Sequence, residues 1–315
     1  MPLHYELSDL RLLLILMRTR SLSASGEAAH LTTSAVSLRL RKLEDGIGAQ
    51  LFTRTGKGLV PTEAGTALAE AAVPILAEAA ALDARLNPFS KHDPEPLRIF
   101  SNSTGLQNFL CRIAADYLRE NSSFRAVLTE QRSSLTPEAV LTGEADLGLI
   151  GGIRELSPAY RTKLELVQFV EDRHVVILPR DSSAAQQFKN RPILFAELLN
   201  LRFAALTDAS PMTAAMKERA LAAGFRFEPI IEAPSFSLLV ELVARGPLAA
   251  VVPASAVPPN APVEVRELED SWAARPLAFV LPKARPALPS AIDFVEFALR
   301  TQKKISIIAS PFVYQ

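Results

Sequence analysis

The 315-residue chain is poor in the side chains that carry redox and metal chemistry. Its one cysteine, Cys111, excludes an intramolecular disulfide and any cysteine-built metal cluster. The four histidines, His4, His30, His92 and His174, are scattered, and none stands three or four residues from another histidine or from the cysteine, so no metal site is expected. Glycine-rich phosphate loops and a GxSxG nucleophile turn are missing, and no catalytic constellation replaces them. A non-enzymatic protein without cofactor is the expectation. Net charge is also lacking: 34 basic residues balance 34 acidic ones, which excludes a surface that is basic all over. No apolar run approaches the roughly 20 residues that span a bilayer. In the opening "MPLHYELSDLRLLLILMRTR", Glu6, Asp9 and Arg11 precede the short apolar stretch, unlike a secretory leader, so no membrane partner and a cytoplasmic location are expected.

What is present is apolar bulk and a local asymmetry of charge. At 49% hydrophobic residues and 315 in length, the chain can bury two or three domain cores. Residues 1–60 carry Arg11, Arg18, Arg20, Arg39, Arg41, Lys42, Arg54 and Lys57 against Glu6, Asp9, Glu27, Glu44 and Asp45. Five of those eight basic residues fall within 39–57, a cluster that fits either a small nucleic-acid contact or an ordinary solvated face.

Periodicity organises this region into three helices. Ser8 can cap a first helix whose apolar positions are Leu10, Leu13, Leu14, Leu16 and Met17. A second runs through "SASGEAAHL". In "TTSAVSLRLRKLEDGIG", Thr32 is an N-cap, Val36, Leu40, Leu43 and Ile47 form an apolar face, and Gly46 and Gly48 end the helix. The opposite face presents Thr33, Ser34, Ser37, Leu38, Arg41 and Lys42. Small hydroxyls at a helix start allow close approach to base edges and phosphates, and the basic residues beyond can reach backbone oxygens. Next, "LFTRTGKGLVPT" predicts a two-stranded ribbon with Arg54, Thr55 and Lys57 at its tip, a wing suited to the minor groove. Three helices and a basic ribbon make a winged helix-turn-helix over 1–61.

Thr62 caps a long helix over 62–88, where Leu68, Ala72, Ile75, Ala79, Leu82 and Leu86 follow a heptad seam, either a dimer contact or a face packed on its own core. Pro74 should kink it. The proline-rich "NPFSKHDPEP" then forms a hinge at 89–95. From Pro96 onward strands alternate with helices, which predicts an α/β domain over 96–303 with a largely parallel sheet. Ligands of such sheets bind beyond the strand ends, near helix N-termini. That rule nominates Ser101, Asn102, Ser103 and Thr104, then Gln131, Ser133 and Ser134, and in the later half Thr207, Ser210, Ser235 and Phe236. Hydroxyls and free N–H groups there suit a small anion or carboxylate, although each such residue is also an ordinary helix cap. Cys111 is expected to be buried, His30 and His174 to be structural, and "EDR" at 171–173 and "ELED" at 267–270 to be solvated charge.

The stretch "SLSASGEAAHLTTSAVSLRLRKLEDGIGAQLFTRTGKGLVPTEAGTAL" resembles the DNA-binding head of LysR-type transcriptional regulators, without a gap from Ser21 to Gly65. "LTGEADLGLIGG" and "ELVARGPLAAVVPASAV" are similar to that family's effector domain. The resemblance implies a C-terminal fold like type 2 periplasmic binding proteins, with subdomain I at 96–165 and 268–303 and subdomain II at 166–267. It also implies double-stranded promoter DNA and a small-molecule effector as partners, and a homodimer or homotetramer. Where the family usually has a polar residue, this chain has Leu38, which either contacts a thymine methyl or packs inside the domain. Gly26 stands where alanine is usual and would cost about 1 kcal/mol of helix propensity unless a close approach requires it. A solute-binding protein or a small α/β enzyme of the same fold is the alternative reading.

Overall fold

A computed structural model describes residues 5–309, except 57, 87–88, 90–94, 154–155, 190, 209 and 284–285. The N-terminal head contains α1 (Leu7–Thr19), α2 (Leu22–Ala29), α3 (Thr33–Ile47), β1 (Phe52–Thr55) and β2 (Gly58–Pro61). Its core joins Leu10, Leu13 and Leu16 of α1 to Val36, Leu40 and Leu43 of α3, with Leu51, Phe52 and Leu59 from the wing. The α1 cap differs from expectation. Glu6 is the N-cap and its N–H donates to Asp9 at 3.0 Å, while Ser8 lies inside the first turn. Thr32 caps α3 by accepting the Ala35 N–H at 3.2 Å, and Gly48, at φ +77°, ends it. Gly46 lies within the helix and Ile47 is exposed, so the packed stripe stops at Leu43.

Gly26 is explained by contact. A Cβ there would stand 2.6 Å from the Leu31 carbonyl oxygen in the turn that the Leu31 N–H closes on the Gly26 carbonyl at 2.8 Å, so the helix-propensity penalty is offset by a backbone approach that alanine forbids. His30, expected to pack, is instead exposed at the left-handed C-cap of α2 (φ 54°).

Helix α4 (Glu63–Leu86) runs unbroken through Pro74. Thr62 caps it through the Gly65 N–H at 3.0 Å. The heptad seam divides. Leu68 and Ala72 pack with Leu76 into the core of the head, whereas Ile75, Leu82 and Leu86 are exposed. Among the described residues α4 is the one helix long and apolar enough to cross a membrane, but its buried face is taken up by the head and, at Ala80, by the next domain. The 89–95 hinge falls mostly outside the described residues, as do His4, His92 and Lys57.

The C-terminal region has two subdomains built alike. In the first, the sheet order is β4 (Ala126–Glu130), β3 (Leu97–Ser101), β5 (Leu147–Gly151), β12 (Pro276–Pro282) and β6 (Leu164–Glu171). β4, β3 and β5 are parallel, and β12 runs antiparallel to both its neighbours. The helices beside this sheet are α5 (Ser103–Gly105), α6 (Cys111–Glu120), α7 (Thr136–Leu141), α8 (Pro158–Lys163) and α13 (Pro289–Ala309). In the second, β7 (His174–Pro179) lies antiparallel between β10 (Ala250–Pro253) and β11 (Val263–Glu267). Parallel strands β8 (Ala204–Leu206) and β9 (Ile231–Ala233) continue it through a parallel bridge between Phe203 and Ala249. The helices here are α9 (Ser183–Gln187), α10 (Phe195–Leu198), α11 (Pro211–Ala222) and α12 (Phe236–Arg245). The expected parallel pairing therefore holds on one side of each sheet. The strand that arrives from the other subdomain, β12 or β7, enters antiparallel.

The crossings lie later than expected. β6 stays paired with β12 through Glu171, so the first subdomain extends past residue 165 and the chain crosses at Asp172–Arg173. On the return, Leu268 bridges Ile193 and Ala273 joins the core of the second subdomain, so residues 268–273 belong there and not to the first.

Candidate nucleic-acid interface and ligand cleft

The face of α3 turned from the core is open. Thr32, Thr33, Ser34, Arg41 and Lys42 are exposed and Ser37 is half-buried. Leu38 is 53% exposed, which excludes the packing alternative. The wing is tied to this face, because Arg54 Nη2 donates to Ser37 Oγ at 3.1 Å. It is tied to α1 as well. The Leu59 N–H donates to the Arg20 carbonyl at 2.8 Å, and a Cβ at Gly58 (φ +116°) would stand 2.6 Å from that oxygen. Thr55 Oγ1 donates to the Gly58 carbonyl at 3.0 Å and so closes the described part of the tip. One rigid surface thus gathers small hydroxyls, two arms of positive charge and one apolar side chain.

The nominated cleft residues fall into two groups. In the first subdomain, Asn102 Nδ2 donates to Ser133 Oγ at 2.9 Å, and Ser133 accepts the Gly151 N–H at 3.4 Å, so the ends of β3 and β5 meet the loop at 131–134. Ser103, Gln131 and Ser134 border this group and keep some exposure. Ser101 and Thr104 do not fit the expectation. Ser101 is fully buried and its hydroxyl donates to the Leu149 carbonyl at 2.6 Å, while Thr104 is buried beside it. The Ser101 hydroxyl is spent on holding the strand end, and burial takes Thr104 out of reach of a ligand. In the second subdomain, Thr207 donates its N–H to Ala233 at 3.2 Å, which places it next to Ser235 and Phe236 at the ends of β8 and β9. Ser210 and Ser235 are also ordinary caps, accepting from Met212 and Leu238. Phe236 packs partly into the subdomain core.

Sequence reasoning missed the hinge between the two groups. Asp172, expected to be solvated, has a side chain of 0% exposure and pairs with Arg275 Nη1 at 3.1 Å. Ser255 donates both its N–H, at 3.1 Å, and its hydroxyl, at 2.8 Å, to the same carboxylate. Asn108 of the first subdomain donates in turn to Ser255 Oγ of the second at 3.0 Å. The Asp172 N–H donates to the Arg275 carbonyl at 2.9 Å, so the two crossings are joined by backbone and side chain together. Burial pushes the Asp172 carboxyl above its ordinary range, with the Arg275 charge and the Ser255 donors pulling it back. Behind the hinge, His174 is half-buried, and its pKa is pushed down to about 3 by desolvation and then by the positive charge of Arg275. Its Nδ1 and the Trp272 Nε1 are buried without partners. No signal in "EDR" marks this network, because its partners lie 83 and 103 residues away.

Cys111 is exposed, against expectation. The buried stripe of its helix runs through Leu110, Ile113 and Tyr117, and Cys111 falls just off it. Among the described residues no group of histidine, cysteine, aspartate and glutamate could hold a metal.

A winged helix-turn-helix head joined to a two-subdomain ligand-binding fold defines a class of DNA-binding regulators. The family model described as a bacterial regulatory helix-turn-helix protein of the lysR family matches residues 7–66, and the LysR substrate binding domain matches 90–303. The chain belongs to the LysR family. It is 28% identical over 184 residues to YeiE, an HTH-type transcriptional regulator of Escherichia coli K12, covering 58% of this chain and 60% of that one. The chain thus spans less than two thirds of this relative's length. Its fold is similar to that of a full-length OxyR variant from Pseudomonas aeruginosa, at TM-score 0.60 and 19% identity over 94% of this chain and 95% of the other. It also matches full-length CbnR in complex with its target DNA, at TM-score 0.52 and 18% identity, over 94% and 100% of the two chains.

Proposed function

We propose that this protein is a LysR-type transcriptional regulator that binds promoter DNA through α3 and the wing and senses a small molecule in the cleft between its subdomains. The observation that carries the reading is the single exposed surface formed by Thr33, Ser34, Leu38, Arg41 and Lys42 with Arg54 seated on Ser37. Thr32 to Ser37 approach the bases and nearby phosphates, Arg41 and Lys42 hold the DNA backbone, and the wing residues Arg54, Thr55 and Lys57 reach the minor groove. The structure of CbnR on its target DNA makes duplex DNA the natural partner of such a head. Asn102, Ser103, Gln131, Ser133 and Ser134 of the first subdomain, with Thr207, Ser235 and Phe236 of the second, supply the effector site, with hydroxyls and N–H groups suited to a carboxylate. A ligand that favours one subdomain arrangement then shifts DNA binding by linkage. Exposed Ile75, Leu82 and Leu86 on α4, with Val127 and Leu128 on the edge strand β4 and Ile231 on the edge strand β9, support a homodimer or homotetramer. Duplex DNA as partner places the protein in the cytoplasm. A solute-binding protein or an enzyme would leave the head without a role.

The test is salt dependence. Arg54→Ala should weaken binding to all duplexes and reduce the slope of log affinity against log salt by about one. An unchanged slope, read by fluorescence anisotropy, would remove the wing from the interface. Leu38 makes a separate prediction. Replacing thymine by uracil in a site selected from random duplexes removes only the C5 methyl group. Binding should fall about fourfold per contacted thymine, taking roughly 0.8 kcal/mol per buried carbon group. Leu38→Ala protein should not distinguish the two duplexes. A wild type indifferent to uracil would place Leu38 outside the groove.

A further inference from the structure

The head and the effector domain of one chain touch at a defined point. Arg18, in the last turn of α1, has a side chain only 11% exposed and makes two hydrogen bonds to Glu144, at 3.0 and 3.3 Å. Glu144 follows α7 by way of Gly143, whose φ is +74°. The absence of a side chain at Gly143 admits α4, since a Cβ there would stand 2.5 Å from the Ala80 Cβ. Arg18 also faces Glu138 of α7, which burial pushes up, the Arg18 charge opposing, and which is hydrogen-bonded to Tyr160.

Each side of this contact leads to a functional surface by a short covalent path. On the head side, only Thr19 separates Arg18 from Arg20, whose carbonyl anchors the wing at Leu59. On the effector side, α7 begins at Thr136, directly after the loop at 131–134 that Ser133 ties to Asn102 and Gly151. α7 packs on the sheet as one piece, with Thr136, Ala139 and Val140 fully buried and Thr136 against Gly148. Glu144 is 40% exposed, so the pair is partly solvated and its opening returns the Glu144 carboxylate to water, while Glu138 keeps its hydrogen bond to Tyr160. A contact of modest strength is one that ligand binding can bias.

We propose that the Arg18–Glu144 pair, with Gly143 seated on Ala80, is an intramolecular latch through which the cleft loop at 131–134 sets the placement of the DNA-binding head and its wing. In the latched state, seen here, the end of α1 is held to the turn after α7, and the wing is held to the end of α1 through Arg20 and Leu59. A cleft occupant that takes Asn102 or Ser133 as its partner displaces the loop, shifts α7 and releases Arg18. This rests on the DNA-binding and cleft-sensing reading for its purpose, but the contact can be tested without it.

The test is hydrogen exchange by mass spectrometry on the full chain, which reads local opening. Arg18→Gln and Glu144→Gln should each speed exchange at the end of α1 and in the wing (52–61) about fivefold. The double variant should exchange no faster than either single one, as two members of one contact require. Peptides of β3 should stay at the wild-type rate. Ser133→Trp, with Ser133→Ala as the milder form, should speed the same wing peptides in the wild-type background and add nothing in Glu144→Gln. Wing exchange unchanged in Glu144→Gln would overturn the latch. So would a Ser133→Trp effect that multiplies in full on the Glu144→Gln background, because the cleft would then reach the wing by another route. Duplex binding by the same proteins is measured alongside. A wild type without duplex affinity removes the functional reading, and the exchange rates still decide the latch.

Discussion

Gly65→Ala is expected to unfold the DNA-binding head at temperatures the wild type withstands. Glycine-to-alanine changes inside a helix ordinarily stabilise by up to about 1 kcal/mol. At Gly65 the sign reverses. A Cβ would stand 2.1 Å from the Leu51 carbonyl oxygen, and that oxygen already accepts the Thr62 N–H at 2.9 Å. Thr62 in turn caps α4 and donates its hydroxyl to Gln50 at 2.7 Å. Neither side of the clash is a flexible side chain, so α4 has to move away from the turn that carries Leu51 and Phe52 into the core. The cost is on the order of 3 kcal/mol, the upper part of the usual overpacking range. Calorimetry should show an early transition for the head, with duplex binding lost alongside it. A variant that melts with the wild type would mean the approach is not real.

The second large effect is at the hinge. Asp172→Ala should cost about 3–5 kcal/mol, because it leaves the Arg275 guanidinium in the interior without its counter-charge. Arg275 cannot shed its proton to escape that cost. Two Ser255 donors lose their acceptor in the same step. Asp172→Asn keeps an acceptor oxygen for Ser255 and should cost less than the alanine variant, by the charge–charge part alone. Urea unfolding measures both. A cost below about 1 kcal/mol for Asp172→Ala would show that water replaces the carboxylate and that the pair does not set the hinge.

These two residues mark the limits of what can be read from the chain alone. Gly65 sits in "PTEAG", a local pattern in which cap and helix start are visible, as are the Thr32 cap and the Val36, Leu40 and Leu43 stripe of α3. Such features depend on neighbours within a few positions. The wing was legible for the same reason: the glycines of "TRTGKG" mark a turn between two short strands that bury Phe52 and Leu59. Asp172 depends on Arg275 and Ser255, brought to it only by the double crossing of the chain, so its charge looked solvated. The α4 seam divides between the two readings it allowed, with Ile75, Leu82 and Leu86 left exposed. Leu68 and Ala72 have the right spacing for a partner helix, but the head of the same chain covers them first. Leu38 falls between the two cases. Its position on the outer face followed from helical spacing, and only its exposure decided between groove and core. Ser101 and Ser133 are both serines after or between strands. One is fully buried on a carbonyl and the other lies at the meeting point of two strand ends, a difference no local pattern encodes.

On the proposed function the α3–wing surface binds duplex DNA while a separate fold does the sensing. The head has its own apolar core around Leu13, Val36 and Leu51, and each C-terminal subdomain has its own around Phe279 and Val251. The most direct measurement is duplex binding by the full chain beside a chain lacking residues 1–88, with melting curves of both. The full chain should bind selected duplexes with affinity that falls steeply as salt rises, and the shortened chain should melt cooperatively yet bind none. Duplex binding retained by a folded chain without its head would contradict the account.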